Sequence, residues 1–585
     1  MFSFFSFRRR DDFSKILARS AILSISFAIV VMSIGVAAAQ EKLPTPEIVK
    51  DRADGTPSSA AESNDAMREM QSEAVRNQAA PWAHWGVMPD KYSSWLNHSN
   101  RMIPLYTFGM TLDSLRDEGS VYADAERLKK LYGEVPSGTV NPQANYFDQT
   151  DVYRLQRQAA EAGKKHIILM VFDGMDWPTT RAAAIYKSGR DDYDRGRGTG
   201  LAFQDYRGVA TDFGFIVTSP RQSGAKFDVN SQTVAEGLRD VGGGYDPTRG
   251  GSVPWQEQSR RNYLLGLDRE RPHDVTDSAA SATSLVAGIK TYNGAIGVDA
   301  EGKAAESIAR QLQAEKGYAI GVVSSVPVSH ATPAAAYSHN VTRKDYQDLS
   351  RDLLGLPSSF HRDDPLPGVD VLIGGGHGEG DGEDAAQGNN FQAGNPYLHQ
   401  SDMRRANIEK GGRYVVAERT EGREGREVLH EAADAAIDGD HRLLGFFGVR
   451  GGHLPFRTAD GGYDPTFDMK GTEKYSPADI RENPTLSDMV SAALSVLERD
   501  EDGFWLMVEA GDVDWANHAN NLDNSIGAVL SGDSAFQTVV DWVQRRGAWD
   551  DTVLFLTSDH GHFLVLDDEQ AIAEAGRRNA PILSE

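Results

Sequence analysis

His166-Ile167-Ile168-Leu169-Met170-Val171-Phe172-Asp173-Gly174 is the stretch that decides the fold. Its apolar run shows no polar alternation, the pattern of a strand in a parallel sheet covered on both faces. Asp173-Gly174 ends it. Apolar runs of strand length recur at 319–324, 369–373, 504–508 and 552–556, with helical stretches at 304–316 and 486–499. Alternating β and α elements predict a doubly wound, mostly parallel α/β sheet. Ligands of such sheets sit beyond the carboxyl ends of strands, where Asp173, Glu509 and Asp559 fall.

Outward from this core, residues 40–165 are polar and mixed, with aromatics at Trp82, Trp85, Tyr92 and Trp95, and read as an N-terminal extension of loop and helix. The domain that follows, 166–585, is interrupted by Gly- and charge-rich excursions at about 189–261 and 374–477, read as insertions. Residues 1–39 have the form of a secretory signal peptide: Arg8-Arg9-Arg10, an apolar run over 21–36 and small residues Ala37-Ala38-Ala39 before Gln40. That run is short for a membrane span, which needs roughly 20 apolar residues. The expectation is a periplasmic or secreted protein with no membrane attachment after cleavage.

At 585 residues and 40% hydrophobic content the chain can bury a substantial core. A net charge of −25, with no compensating basic patch after the first few dozen residues, argues against nucleic acid as a dedicated partner. Cysteine is absent, so there are no disulfides, and any metal must be held by His, Asp, Glu or hydroxyl oxygen.

Several clusters carry chemistry. Asp173 is a turn residue or cap, or else a ligand at the mouth of the sheet. Asp559-His560 follows an apolar run and offers zinc's usual oxygen and nitrogen donors. In Glu509-Ala510-Gly511-Asp512-Val513-Asp514-Trp515-Ala516-Asn517-His518, Asp514 and His518 are four apart, so on a helix both project from one face toward one metal, while Glu509 stays at the strand end. Ser278, in Thr276-Asp277-Ser278-Ala279-Ala280-Ser281-Ala282-Thr283, is either a helix cap or a nucleophile lodged where a helix N-terminus attracts phosphate. Thr332-Pro333 reads as a helix start with Thr332 as its cap, which places Arg343 about three turns along, as a surface charge or a bidentate phosphate grip.

Together Phe172-Asp173-Gly174-Met175, 276–283, 330–343, 508–518 and 558–562 resemble the alkaline phosphatase family, in that family's order. The resemblance implies a three-layer α/β/α sandwich with large insertions, hydrolysis of small phosphomonoesters, two Zn²⁺ and one Mg²⁺, and a homodimer. It makes Ser278 the nucleophile that is phosphorylated and Arg343 the phosphate clamp. Asp173, Asp559 and His560 would hold the zinc beside Ser278, Asp514 and His518 the zinc at the leaving group, and Asp173, Thr332 and Glu509 the magnesium. His562 becomes an orienting neighbour. Asp277 lies next to the nucleophile, while His330 and Trp515 stand where other members carry Asp or His and Lys or His.

One departure matters. The family completes its leaving-group zinc with a His on a late strand, and no His follows His562. Catalytic zinc normally keeps three protein ligands. The expectation from this gap is a C-terminally truncated member, with a catalytically impaired chain that only binds metal or phosphate as the alternative. A related phosphodiesterase or sulfatase is disfavoured, because Ser278 is followed by Ala-Ala-Ser and lacks the Pro and Arg that signal conversion to formylglycine.

Overall fold

The computed structural model describes residues 65–237, 239–256, 260–379, 386–467, 469 and 473–579. The leader expected at 1–39 falls outside them. Among the described residues no helix is long and apolar enough to cross a membrane.

The architecture is built on a ten-stranded sheet. In chain order its strands are β1 (Ile103–Phe108), β2 (Phe147–Asp148), β3 (His166–Phe172), β4 (Thr211–Val217), β5 (Ala319–Pro327), β6 (Val371–Gly375), β7 (Tyr414–Glu418), β8 (Arg442–Phe446), β9 (Phe504–Ala510) and β10 (Thr552–Thr557). They lie side by side as β7-β8-β6-β5-β9-β3-β10-β1-β4-β2, and only β1 runs against the others.

β3 shows why the sheet must be covered twice. Its side chains alternate faces, as strand geometry requires: Ile168, Met170 and Phe172 join one core cluster, and Ile167, Leu169 and Val171 another. The first cluster takes its helical partners from Trp177–Ser188, Leu486–Leu497, Leu522–Arg546 and Glu569–Asn579, the second from Gln149–Glu161, Ser278–Ala287 and Ile308–Lys316. The fold is therefore a three-layer α/β/α sandwich with a mostly parallel centre.

The expected strands and helices are present with shifted ends: the run at 319–324 extends to Pro327, and the helix expected at 304–316 starts at Ile308, where Ser307 caps it. The stretch 40–165 supplies β1 and β2, 189–261 carries β4, and 374–477 carries β7 and β8. The N-terminal segment is also knitted to the far end of the chain. Ala83–Trp85 pairs with Leu564–Leu566, and His98–Ser99 with Gly561–His562, both antiparallel.

Phe172, the last residue of β3, is fully buried, packs on Phe203 and fits against Gly532, where an added Cβ would come within 2.3 Å of the Phe172 ring. Phe172→Ala is expected to cost about 3–5 kcal/mol by leaving a cavity beside Asp173. A urea midpoint unchanged from wild type would refute this.

Candidate active site

β9, β3 and β10 are adjacent and parallel, with Glu509 opposite Val171 and Thr557 opposite the same residue, so their carboxyl ends are level. Glu509, Asp173 and Asp559-His560 consequently meet at one edge of the sheet, all buried. Nε2 of His560 lies 3.2 Å from Oδ1 of Asp173 and 3.2 Å from Oδ2 of Asp559. Oγ of Ser278 is 3.2 Å from the same nitrogen.

Ser278 is the first residue of the helix Ser278–Ala287, and the cap is Asp277, whose carboxylate accepts from the Ala280 N–H. The capping role is thus taken by the neighbour, and the Ser278 hydroxyl is left facing His560. Ser281 donates to the Asp559 carbonyl at 2.5 Å, tying the helix start to the end of β10.

Asp514 and His518 share one face of the helix Asp512–His518, with His518 Nε2 3.5 Å from Asp514 Oδ1. His562 Nε2 reaches Asp514 Oδ1 at 2.7 Å. A residue not nominated from the sequence joins them. His98 Nε2 lies 3.0 Å from His518 Nε2 and 3.6 Å from Asp514 Oδ1, and its ring stacks on His560 at 3.6 Å between centroids.

An oxygen-only group sits beside these. Ser324 donates its hydroxyl to Oε2 of Glu509, and Thr332 Oγ1 is 3.5 Å from Oδ2 of Asp173. Thr332 lies inside the helix Ala331–Ala335, whose N-cap position is His330, so Thr332 is not the cap. Arg343 donates to Asp277 Oδ2 at 3.1 Å, and its other terminal nitrogen is 3.5 Å from His330 Nε2. Its expected place three turns along a helix is wrong. That helix stops at Ala335, the chain doubles back through paired backbone hydrogen bonds between Ile296 and Asn340, and Arg343 sits in a turn anchored by its N–H on the Gly294 carbonyl. Trp515 stands edge-on to His330 and His453.

The electrostatics call for cations. Asp173 Oδ1, Asp559 Oδ2 and Glu509 Oε1 are buried without a hydrogen-bond partner. Burying ionised carboxylates without counter-charge costs several kcal/mol per ion. Burial pushes Glu509 up to about 8 and Asp559 up to about 6, and burial together with Asp559 and Asp514 holds Asp173 well above the usual range. For Asp514 burial acts in the same direction, but His518, His562 and His560 hold its carboxyl well below that range. The potential ligand atoms of Asp173, Asp559 and His560, and those of His98, Asp514, His560 and His562, each lie within 4.8 Å of one another. The mixed nitrogen and oxygen sets fit zinc, and the Glu509, Thr332 and Asp173 oxygens fit magnesium.

Residues 253–575 match the family model for alkaline phosphatase. The chain belongs to the alkaline phosphatase family. It is 29% identical over 303 residues to alkaline phosphatase 3 of Bacillus subtilis, covering 51% of this chain and 52% of that protein. It is 30% identical over 317 residues to the alkaline phosphatase of Escherichia coli K12, covering 52% and 61%, and 32% identical over 316 residues to the repressible alkaline phosphatase of Saccharomyces cerevisiae, covering 51% and 48%. The chain thus spans about half the length of the curated relatives it matches. A cold-active alkaline phosphatase from a psychrophilic Shewanella aligns over 68% of both chains at 23% identity, with a TM-score of 0.39.

Ser278, Thr332, Arg343 and 509–562 lie within the stretch matched to alkaline phosphatase, whereas His98 and Asp173 lie outside it. His98 escaped notice because the run after it, Ile103–Phe108, contains Pro104, and a proline within a run argues against a central strand. The usable signal was a histidine five residues ahead of an apolar run of strand length.

Treated with a chelator, the protein is expected to lose stability as pH rises from about 5 through about 8. Glu509 and Asp559 hold protons in the fold that they release on unfolding, so the unfolded state binds fewer protons in that window and stability falls with pH. Glu509→Gln should flatten the decline in melting temperature. Parallel profiles for variant and wild type would contradict it.

Proposed function

We propose that this chain hydrolyses small phosphate monoesters in two steps, through a phosphoserine on Ser278, with two zinc ions and one magnesium ion bound. The observation that carries the proposal is the Ser278 hydroxyl at a helix N-terminus, 3.2 Å from His560, with Arg343 tied to the adjoining Asp277. Asp173, Asp559 and His560 would hold the zinc beside Ser278, Asp514 and His518 that at the leaving group, and Asp173, Thr332 and Glu509 the magnesium. When bound, these cations supply the Lewis acidity that favours a serine alkoxide, a water hydroxide and a charged leaving oxygen.

The chain's own groups do the rest. Oγ of Ser278 releases its proton to solvent and bonds to phosphorus as the ester P–O bond breaks, and the departing alkoxide takes a proton from solvent. The N–H groups that open the helix after Asp277 and the fork of Arg343 receive the equatorial oxygens. Asp277 holds that guanidinium in place. In the second step a water oxygen bonds to phosphorus, the Oγ–P bond breaks, phosphate leaves and Ser278 regains its proton. Two in-line displacements retain configuration at phosphorus. His562 steadies Asp514 throughout. The leader at 1–39 points to export, and periplasmic or secreted phosphomonoesters are the substrate pool.

With Zn²⁺ and Mg²⁺ at alkaline pH, a chromogenic phosphomonoester should be turned over, and acid quenching should trap phosphate on the wild-type chain. Ser278→Ala should abolish both signals, and undiminished turnover by that variant would sink the nucleophile. Arg343→Ala should lower kcat/KM roughly 10- to 100-fold, the worth of one hydrogen bond to a charged group.

A further inference from the structure

We infer that His98 is a direct ligand of the leaving-group metal, completing with Asp514 and His518 a three-residue site. This rests on the metal-dependent reading of the site given above.

The first support is tautomeric. Nδ1 of His98 lies 2.9 Å from the Thr276 carbonyl oxygen, and Nδ1 of His518 lies 2.9 Å from the Leu96 carbonyl oxygen. A carbonyl only accepts, so both Nδ1 atoms carry hydrogen and both neutral rings present a bare lone pair at Nε2. Those two nitrogens face each other at 3.0 Å, with the Asp514 carboxylate beside them. Three acceptors converging with no hydrogen among them repel one another unless a cation lies between. The same backbone contacts are what orient a metal-binding imidazole.

The second support is distance. Donor atoms about 2.0–2.1 Å from a tetrahedral zinc are about 3.3 Å apart. The three separations among His98 Nε2, His518 Nε2 and Asp514 Oδ1 are 3.0, 3.6 and 3.5 Å. His562, the other histidine at Asp514, does not fit this role. Its Nε2 is 2.7 Å from the carboxylate, a hydrogen-bond distance shorter than any ligand–ligand edge, and it acts as a donor that fixes the carboxylate.

The third support is delivery. β1 lies antiparallel against β10, so the segment entering β1 arrives at the edge where β10 ends. There His98 pairs backbone to backbone with His562, and it is buried. Residue 98 is thereby fixed by the sheet, on a segment outside the stretch matched to the family.

The test is zinc binding, read without turnover. Chelator-stripped wild-type protein titrated with Zn²⁺ should fill its two zinc sites, and His98→Ala should lose one equivalent. Loss of a neighbour that only orients a ligand weakens metal binding about 10- to 100-fold, so a lost ligand should exceed ~100-fold at that site. Added imidazole should restore the missing equivalent, which a purely structural role of His98 would not allow. Near-ultraviolet circular dichroism checks that the variant is folded. X-ray absorption at the zinc edge of the wild-type protein needs no variant: three imidazoles for every two zinc ions are expected from His98, His518 and His560. One imidazole per zinc, or wild-type zinc affinity in His98→Ala, overturns the proposal. If zinc binds as expected while the wild-type chain turns over no phosphomonoester, the proposed activity fails and the ligand assignment stands.

Discussion

Everything at the site depends on the burial of four carboxyl groups, Asp173, Glu509 and Asp559 at the level carboxyl ends of three adjoining parallel strands and Asp514 on the helix that follows β9. Parallel pairing in register is what brings them together, since each strand delivers its end residue to the same edge. Four negative charges in so small a volume repel, and burial deepens the cost. Protonation is one relief, visible in the raised values of Glu509 and Asp559; divalent cations are the other. The fold therefore creates a demand for cations before any side chain is assigned a role, and the surrounding imidazoles decide which cations suit which corner.

Much of this was legible in the sequence. The unbroken apolar run of β3, its recurrence at β5, β6, β9 and β10, and the acids at strand ends were enough to place Asp173, Glu509 and Asp559-His560 on one edge. The four-residue spacing of Asp514 and His518 was enough to place both on one helix face, as observed. These features are local or follow from a rule of parallel sheets. Arg343 was misplaced because helix continuation past Ala335 is decided by a long-range pairing of Ile296 with Asn340, which no local pattern announces. The strands β1, β4, β7 and β8 were hidden for a related reason: short runs flanked by glycine and charge become strands only where a neighbour's edge accepts them.

His98 is the sharpest case. On the assignment inferred for His98, the histidine sought last in the sequence comes first in chain order. The segment entering β1 is antiparallel to β10 and so reaches the same edge from the opposite direction, which sequence order alone does not reveal. The interleaving of Ala83–Trp85 with Leu564–Leu566 and of His98–Ser99 with Gly561–His562 joins the two ends of the described chain beside the cluster of His98, Asp514, His560 and His562.

The anchoring of His98 also links the two halves of the chemistry. Its Nδ1 hydrogen is held by the carbonyl of Thr276, two residues before Ser278, while its ring stacks on His560, whose Nε2 faces the Ser278 hydroxyl. A displacement of the helix start that carries Ser278 would therefore tilt the His98 imidazole, and the reverse holds equally. In the two-step reaction proposed above, in-line displacement needs the entering and leaving oxygens kept opposite each other, which a rigid connection between those two positions would favour. Thr276, bearing no catalytic group of its own, supplies that connection through its backbone, where a side-chain substitution would leave it intact.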